Sequence, residues 1–162
     1  MEKEESELET FKEEFCKLRE KFALPSFEEL NQDFSIEKLC DVETDYLVRE
    51  IRKFISDKLY NYLRFVESVL QPVNSPMFVF SLLKSLGVEE KNKLKDIYAK
   101  LSRLEIDLIE VDVSYSEEKE VAFIQKAFVI WQGIKKDVLD ISEVAKRNWE
   151  NKAEFNGKNY FS

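Results

Sequence analysis

Histidine is missing altogether, and glycine and proline occur only three times each in 162 residues. Without an imidazole the chain lacks the commonest general base, the usual partner of a serine or cysteine nucleophile and the ordinary zinc ligand. Average usage of about 7% glycine and 5% proline would supply roughly eleven and eight residues. Turn-rich sandwiches, barrels and doubly wound α/β folds consume those residues at their bends, so the shortage points to long helices with short connections. Gly87, Gly133 and Gly157 stand apart from one another, which excludes a glycine-rich phosphate loop. The two cysteines, Cys16 and Cys40, have no metal-ligand spacing and read as reduced intracellular thiols. No apolar run approaches the roughly 20 residues that cross a bilayer, and the opening MEKEESELET carries no apolar leader. A cytoplasmic, soluble protein without membrane contact is expected.

What is present is charge arranged around a core. Charged residues make up 36% of the chain, against about 25% in an average domain. Hydrophobic residues still reach 44%, and 13% of the chain is aromatic, mostly phenylalanine. A disordered chain would lack those aromatics. The length suits one domain that buries roughly 70% of its unfolded surface and needs neither metal nor disulfide. Formal net charge is −8, which makes the phosphate backbone of nucleic acid unlikely as a direct main partner.

Periodicity then locates the elements. Leu8, Phe11, Phe15, Leu18 and Phe22 step by three and four along a first helix over about 4–22, a narrow seam in a run of Glu, Lys and Arg. Pro25 ends it, and Ser26 with Glu29 forms a capping box that opens a short helix over about 26–33. A broader stripe from Leu47 through Ile51, Ile55, Leu59 and Val66 marks a long helix over about 42–70, with Asp41 as its N-cap. Pro72 closes it. A short helix over about 76–86 follows, with Ser75 as N-cap, Pro76 at its first position and Gly87 as a left-handed C-cap. Leu94, Ile97, Leu101, Leu104, Leu108 and Val111 define a helix over about 89–112. Ser114 or Ser116 caps the last helix, over about 116–150, whose apolar side runs from Val121 to Trp149 and is crossed by Gly133. The expectation is an all-α antiparallel bundle of four long and two short helices. It forms a single domain over 1–150, with a polar and aromatic tail over 151–162.

Few residues offer chemistry. Glu105, Asp107, Glu110, Asp112, Glu117, Glu118 and Glu120 are the candidates for carboxylate–metal chemistry. In the frame set by Leu104, Leu108 and Val111 these acids fall mostly outside the seam, where a solvated face is expected. The stretch VREIRKF gathers Arg49, Arg52 and Lys53 within one helical turn, with Lys58 further on. Interspersed Glu50 and Asp57 make it an ordinary charged surface, or a partner of the acidic first helix. Thus no catalytic residue, metal ligand or cofactor is assigned.

Three apolar features remain. In the 76–86 helix, Phe78, Val79, Phe80, Leu82, Leu83 and Leu86 fill an arc of about 200°, wider than the ~100° of an ordinary surface helix. That helix is either wedged into the bundle or shares Met77 and Phe80 with a partner or apolar ligand. The last helix is longer than the one before it, so Trp149 overhangs. The tail NKAEFNGKNYFS places Phe155, Tyr160 and Phe161 in a polar setting, folded back on the bundle or read by a partner.

The stretches LPSFEELNQDF, VREIRKFISDKL, QPVNSPMF and GKNYFS resemble a group of archaeal all-helical proteins with no assigned activity. That resemblance implies an archaeal cytoplasmic origin and transfers no functional residue. The helical pattern is also superficially similar to the helical domains of replication-associated GINS subunits, whose small β domain has no counterpart here. The expected function is that of a non-catalytic interaction protein, an adaptor or assembly factor whose partner is either another protein or a second copy of itself. The alternatives are a module holding an apolar ligand under the 76–86 helix, and a carboxylate–metal enzyme.

Overall fold

Every strongly periodic segment forms a helix in the computed structural model, which describes residues 2–158, with side chains over 6–151. In chain order these are α1 (Glu2–Lys21), α2 (Phe27–Phe34), a 3-10 turn (Ile36–Leu39), α3 (Leu47–Leu70), α4 (Met77–Ser85), α5 (Val88–Val113) and α6 (Glu117–Lys158). Six α-helices and no strand among the described residues make the fold all-α.

The helix ends show where local chemistry departs from expectation. Ser26 builds the anticipated capping box: its hydroxyl accepts the Glu29 N–H at 3.2 Å, and the Glu29 carboxylate accepts the Ser26 N–H at 2.8 Å. α3 begins at Leu47 rather than 42, so Asp41 is not its cap. The Tyr46 carbonyl accepts the N–H groups of Arg49 and Glu50, and the Thr44 hydroxyl accepts the N–H of Tyr46. The unforeseen turn over Ile36–Leu39 follows Ser35, whose φ of 59° ends α2 in the left-handed region. Asn31 secures that turn, accepting from the Glu37 N–H at 2.9 Å and donating to the Glu37 carboxylate at 2.7 Å.

Around α4 the caps fall one residue away from their expected places. Pro76, not Ser75, is the N-cap; its carbonyl accepts the Val79 N–H, and the Ser75 hydroxyl donates back to Ser68 at 3.3 Å. Gly87 is not left-handed, because Leu86 already leaves the helix in extended backbone. The Gly87 carbonyl instead accepts the Lys91 N–H and so starts α5. Ser116 is the cap of α6, its hydroxyl accepting the Lys119 N–H, while the Ser114 hydroxyl donates to Glu110. α6 passes through Gly133 and continues to Lys158, beyond the expected end at 150. The backbone at Phe155 is therefore helical, whereas the Phe155 side chain, Tyr160 and Phe161 lie outside the described residues.

Two compact units emerge from the contacts of the described residues, the first formed by 2–60 with 103–130 and the second by 61–102 with 131–158. In the first, Phe11, Phe15, Phe27, Phe34, Ile51, Ile55, Leu104 and Ile124 are buried. The Phe27 ring meets Phe11 and Phe15 edge-on, with centroids 6.0 and 5.8 Å apart, the favourable geometry for aromatic rings. After a three-residue link, Lys126 of α6 reaches back to Asp107 of α5, so these segments run antiparallel. In the second unit, Val66, Val79, Leu86, Leu94, Ile97, Leu101, Ile134 and Ile141 are buried. Tyr62 packs on Trp131 at 5.1 Å, and Lys93 lies 3.6 Å from both Asp137 and Asp140.

Because the Ser26 hydroxyl satisfies one of the orphan N–H groups of α2, Ser26→Ala should cost about 1 kcal/mol. Urea unfolding monitored by circular dichroism would measure it, and no loss would show that α2 is held by packing alone.

Candidate functional site

The acids proposed for metal chemistry are mostly engaged as ion-pair partners. Lys126 and Arg103 share Asp107, Lys21 meets Glu117, and Arg52 meets both Asp112 and Glu120. Glu118, in the first turn of α6, is held below the usual carboxylate range by hydrogen bonds from its own backbone and from Ser116. Among the described residues no group of three or more acidic, cysteine or histidine side chains is arranged to hold a metal.

Glu120 departs from the solvated face expected of these acids. It is 0% exposed, and the Arg52 that meets it is only 4% exposed. Arg52 Nε donates to Glu120 Oε2 at 2.5 Å, one Nη donates to Glu120 Oε1 at 3.3 Å, and the same Nη donates to Asp112 Oδ1 at 2.9 Å. Burial works against the Arg52 charge, but the hydrogen bond and charge of Glu120, followed by those of Asp112, keep its pKa above the ordinary guanidinium value. The cluster ties α3, α5 and α6 together in the first unit. Arg52 thus finds these carboxylates on α5 and α6, whereas the sequence suggested α1 as the partner.

The rest of VREIRKF is likewise occupied. Lys53 pairs with Glu50 at 3.0 Å, and the Arg49 guanidinium lies over the Tyr115 ring, 4.5 Å from its centroid. Lys58 donates to the Phe34 carbonyl at 2.9 Å, and burial, reinforced by Lys38, pushes its pKa down. These cations do not form a free phosphate-binding face; their surroundings are structural.

Glu105 is the strained acid of the first unit. Partial burial raises its pKa, and the neighbouring carboxylates of Asp57 and Asp112 raise it further.

An open apolar groove lies in the second unit. Phe78, Ser81, Leu82 and Ser85 of α4 face Ser142, Ala145, Lys146 and Trp149 of α6 across a volume of about 310 Å³. Each helix contributes positions i, i+3, i+4 and i+7, the spacing that puts residues on one face. The Asn148 amide donates to the Ser85 carbonyl at 2.7 Å, joining α6 to the end of α4. Val79 on the other side of α4 and Leu86 just past its end are buried in the core.

Of the residues singled out from sequence, Trp149 lines this groove and is 59% exposed. Met77, 81% exposed, and Phe80, also exposed, lie outside its lining. Phe78 and Leu82 belong to the groove and were not singled out, although the wide apolar arc of α4 contains both. Neither a family model, a curated protein nor a solved structure matches the chain.

Removing one partner of a buried ion pair strands the other, a cost of about 3–5 kcal/mol. Glu120→Ala should show a loss of that size in urea unfolding, and the double replacement Arg52→Met with Glu120→Leu should recover most of it. Glu105→Gln should act in the opposite sense. An acid whose pKa is raised by folding costs stability above its folded pKa and nothing below its unfolded pKa. The variant should therefore be more stable than the parent at pH 7, and the gain should vanish as pH falls below the ordinary glutamate range. A gain that persists at pH 3 would show that repulsion and burial of the charge are not its source.

Proposed function

We propose that the chain is a non-catalytic helical interaction protein, an adaptor or assembly factor, whose α4–α6 groove receives an amphipathic helix of a partner protein. The observation that carries this reading is the half-exposed pair Phe78 and Trp149 standing together at an apolar trough. Large aromatics at the centre of a patch are the residues that most often dominate binding energy. A trough between two helices accepts the apolar edge of a third, with side chains at i, i+3 and i+4 entering it. Lys146 and Glu150 border the trough with both signs of charge, which suits the polar rim of such an interface. The engagement of Asp107, Asp112, Glu117 and Glu120 by cations supports a non-catalytic role. In this reading the protein works in the cytoplasm of an archaeal cell, as its resemblance to archaeal helical proteins implies, without nucleic acid as its direct main partner.

The apolar-ligand reading keeps one supporting observation, since a groove of about 310 Å³ falls at the lower end of small-molecule sites. Native mass spectrometry distinguishes the two: a co-purifying apolar molecule lost in Leu82→Asp would favour the ligand.

A photoactivatable phenylalanine at Ser81 should crosslink to a helical segment of a partner in extract of the source cells. The mapped segment, synthesised as a peptide, should bind the full chain with at least tenfold lower affinity after Trp149→Ala. Unchanged affinity would remove the groove from the interface.

A further inference from the structure

α5 is apolar on two sides. Leu104 and Val111 are buried in the first unit, while Ile106, Ile109 and Val113 are 56, 63 and 82% exposed. The exposed three step by three and four, so they form one continuous stripe. A lone exposed aliphatic is ordinary, but three successive seam positions on one helix are the pattern of a helix face that meets another element.

The charges beside the stripe identify what fits there. From residue 104 to residue 118 the chain has six acids and no lysine or arginine. Glu105 and Asp112 fall along one edge of the stripe, and Glu110 stands on the other, by the 100° step of the helix. Arg52 is committed to Glu120 and Asp112, and both Arg103 and Lys126 to Asp107, while Lys119, beside Glu110 on the far edge, donates to the Ser114 hydroxyl. A second copy of α5 would bring acids onto acids whether it lay parallel or antiparallel. A helix with an aliphatic seam and flanking lysines or arginines would instead match both features.

We infer that the Ile106–Ile109–Val113 face of α5 is a docking surface for a basic amphipathic helix of a partner protein. It is separate in its residues from the α4–α6 groove and stands or falls independently of it. An adaptor with both surfaces has two distinct contacts to offer, one apolar with mixed charge and one apolar with an acidic border.

The test uses the full chain and a synthetic 21-residue helix with leucine at the a and d positions and lysine at e and g. Its control carries glutamate at e and g. Titration calorimetry at near-physiological salt should show binding of the lysine peptide and none of the control. Ile109→Ser combined with Ile106→Ser should weaken binding at least tenfold, and Glu110→Lys should weaken it several-fold. Both sites are exposed, and unchanged urea unfolding would show that the variants fold. Trp149→Ala should leave this binding intact. The inference is overturned if the lysine peptide does not bind or if the serine variants bind it as well as the parent, the result expected of charge attraction alone. It is also overturned if the peptide is lost through Trp149→Ala and not through the isoleucines. Sedimentation showing a dimer that the serine variants dissociate would assign the stripe to a second copy and overturn it as well.

Discussion

A guanidinium that is 4% exposed and a carboxylate that is 0% exposed constrain the first unit more tightly than its apolar contacts do. Leucine or phenylalanine can repack after a small shift, whereas Arg52 and Glu120 can meet only where Nε and Nη both reach the carboxylate. Slipping α6 by one residue would swing Glu120 about 100° around the helix and leave both charges stranded. Each stranded ion would cost several kcal/mol, far more than the pair contributes in place, because desolvation offsets most of the attraction. The pair therefore acts against wrong registers. With α3 and α6 fixed, Asp112 brings in α5. The contacts of Lys21 with Glu117 and of Gln125 with the Ala23 carbonyl then bind α6 to the end of α1 and the segment that follows it.

Much of this fold can be read from composition and period. Scarce glycine and proline left few places to turn, and the three-four steps of apolar residues gave every long helix. The ion pair was also written in the same steps. On α6, Ile134, Trp131, Ala127 and Ile124 alternate by three and four, and one more step back reaches Glu120. On α3, Val48, Ile55 and Leu59 do the same, with Arg52 between Val48 and Ile55. Opposite charges at seam positions of two helices are a signal of burial. Framing the last helix from Val121 instead hid it, because both neighbouring positions are buried. The caps around α4 were misplaced for a different reason. Ser75, Pro76 and Gly87 each suit two adjacent positions, and the choice depends on tertiary contacts such as the Ser75 hydroxyl turning to Ser68.

The candidate interaction residues divide along a similar line. A helical wheel showed that α4 was too apolar for a plain surface helix, but a wheel has no neighbour on it. Val79 and Leu86 took the core side, Phe78 and Leu82 took the side facing α6, and Met77 was left exposed. The sequence could supply the width of the arc, not its division. Trp149 was legible because a large aromatic late in a long helix has few covering residues nearby in the chain.

Both candidate surfaces are built on helices that each have residues buried within this chain. α4 is seated by Val79 and Leu86, and α5 by Leu104 and Val111, so each has a buried side supplying its stability and another side left over. A helix that must fold on binding spends part of its interaction energy on ordering. One already held in place loses little conformational freedom when a second helix arrives, so more of the contact energy appears as affinity. An enzyme would need reactive groups held at the end of such a scaffold. Here the buried charges neutralise one another, and what remains turned to solvent is an apolar trough on α4 and α6 and an acid-bordered stripe on α5.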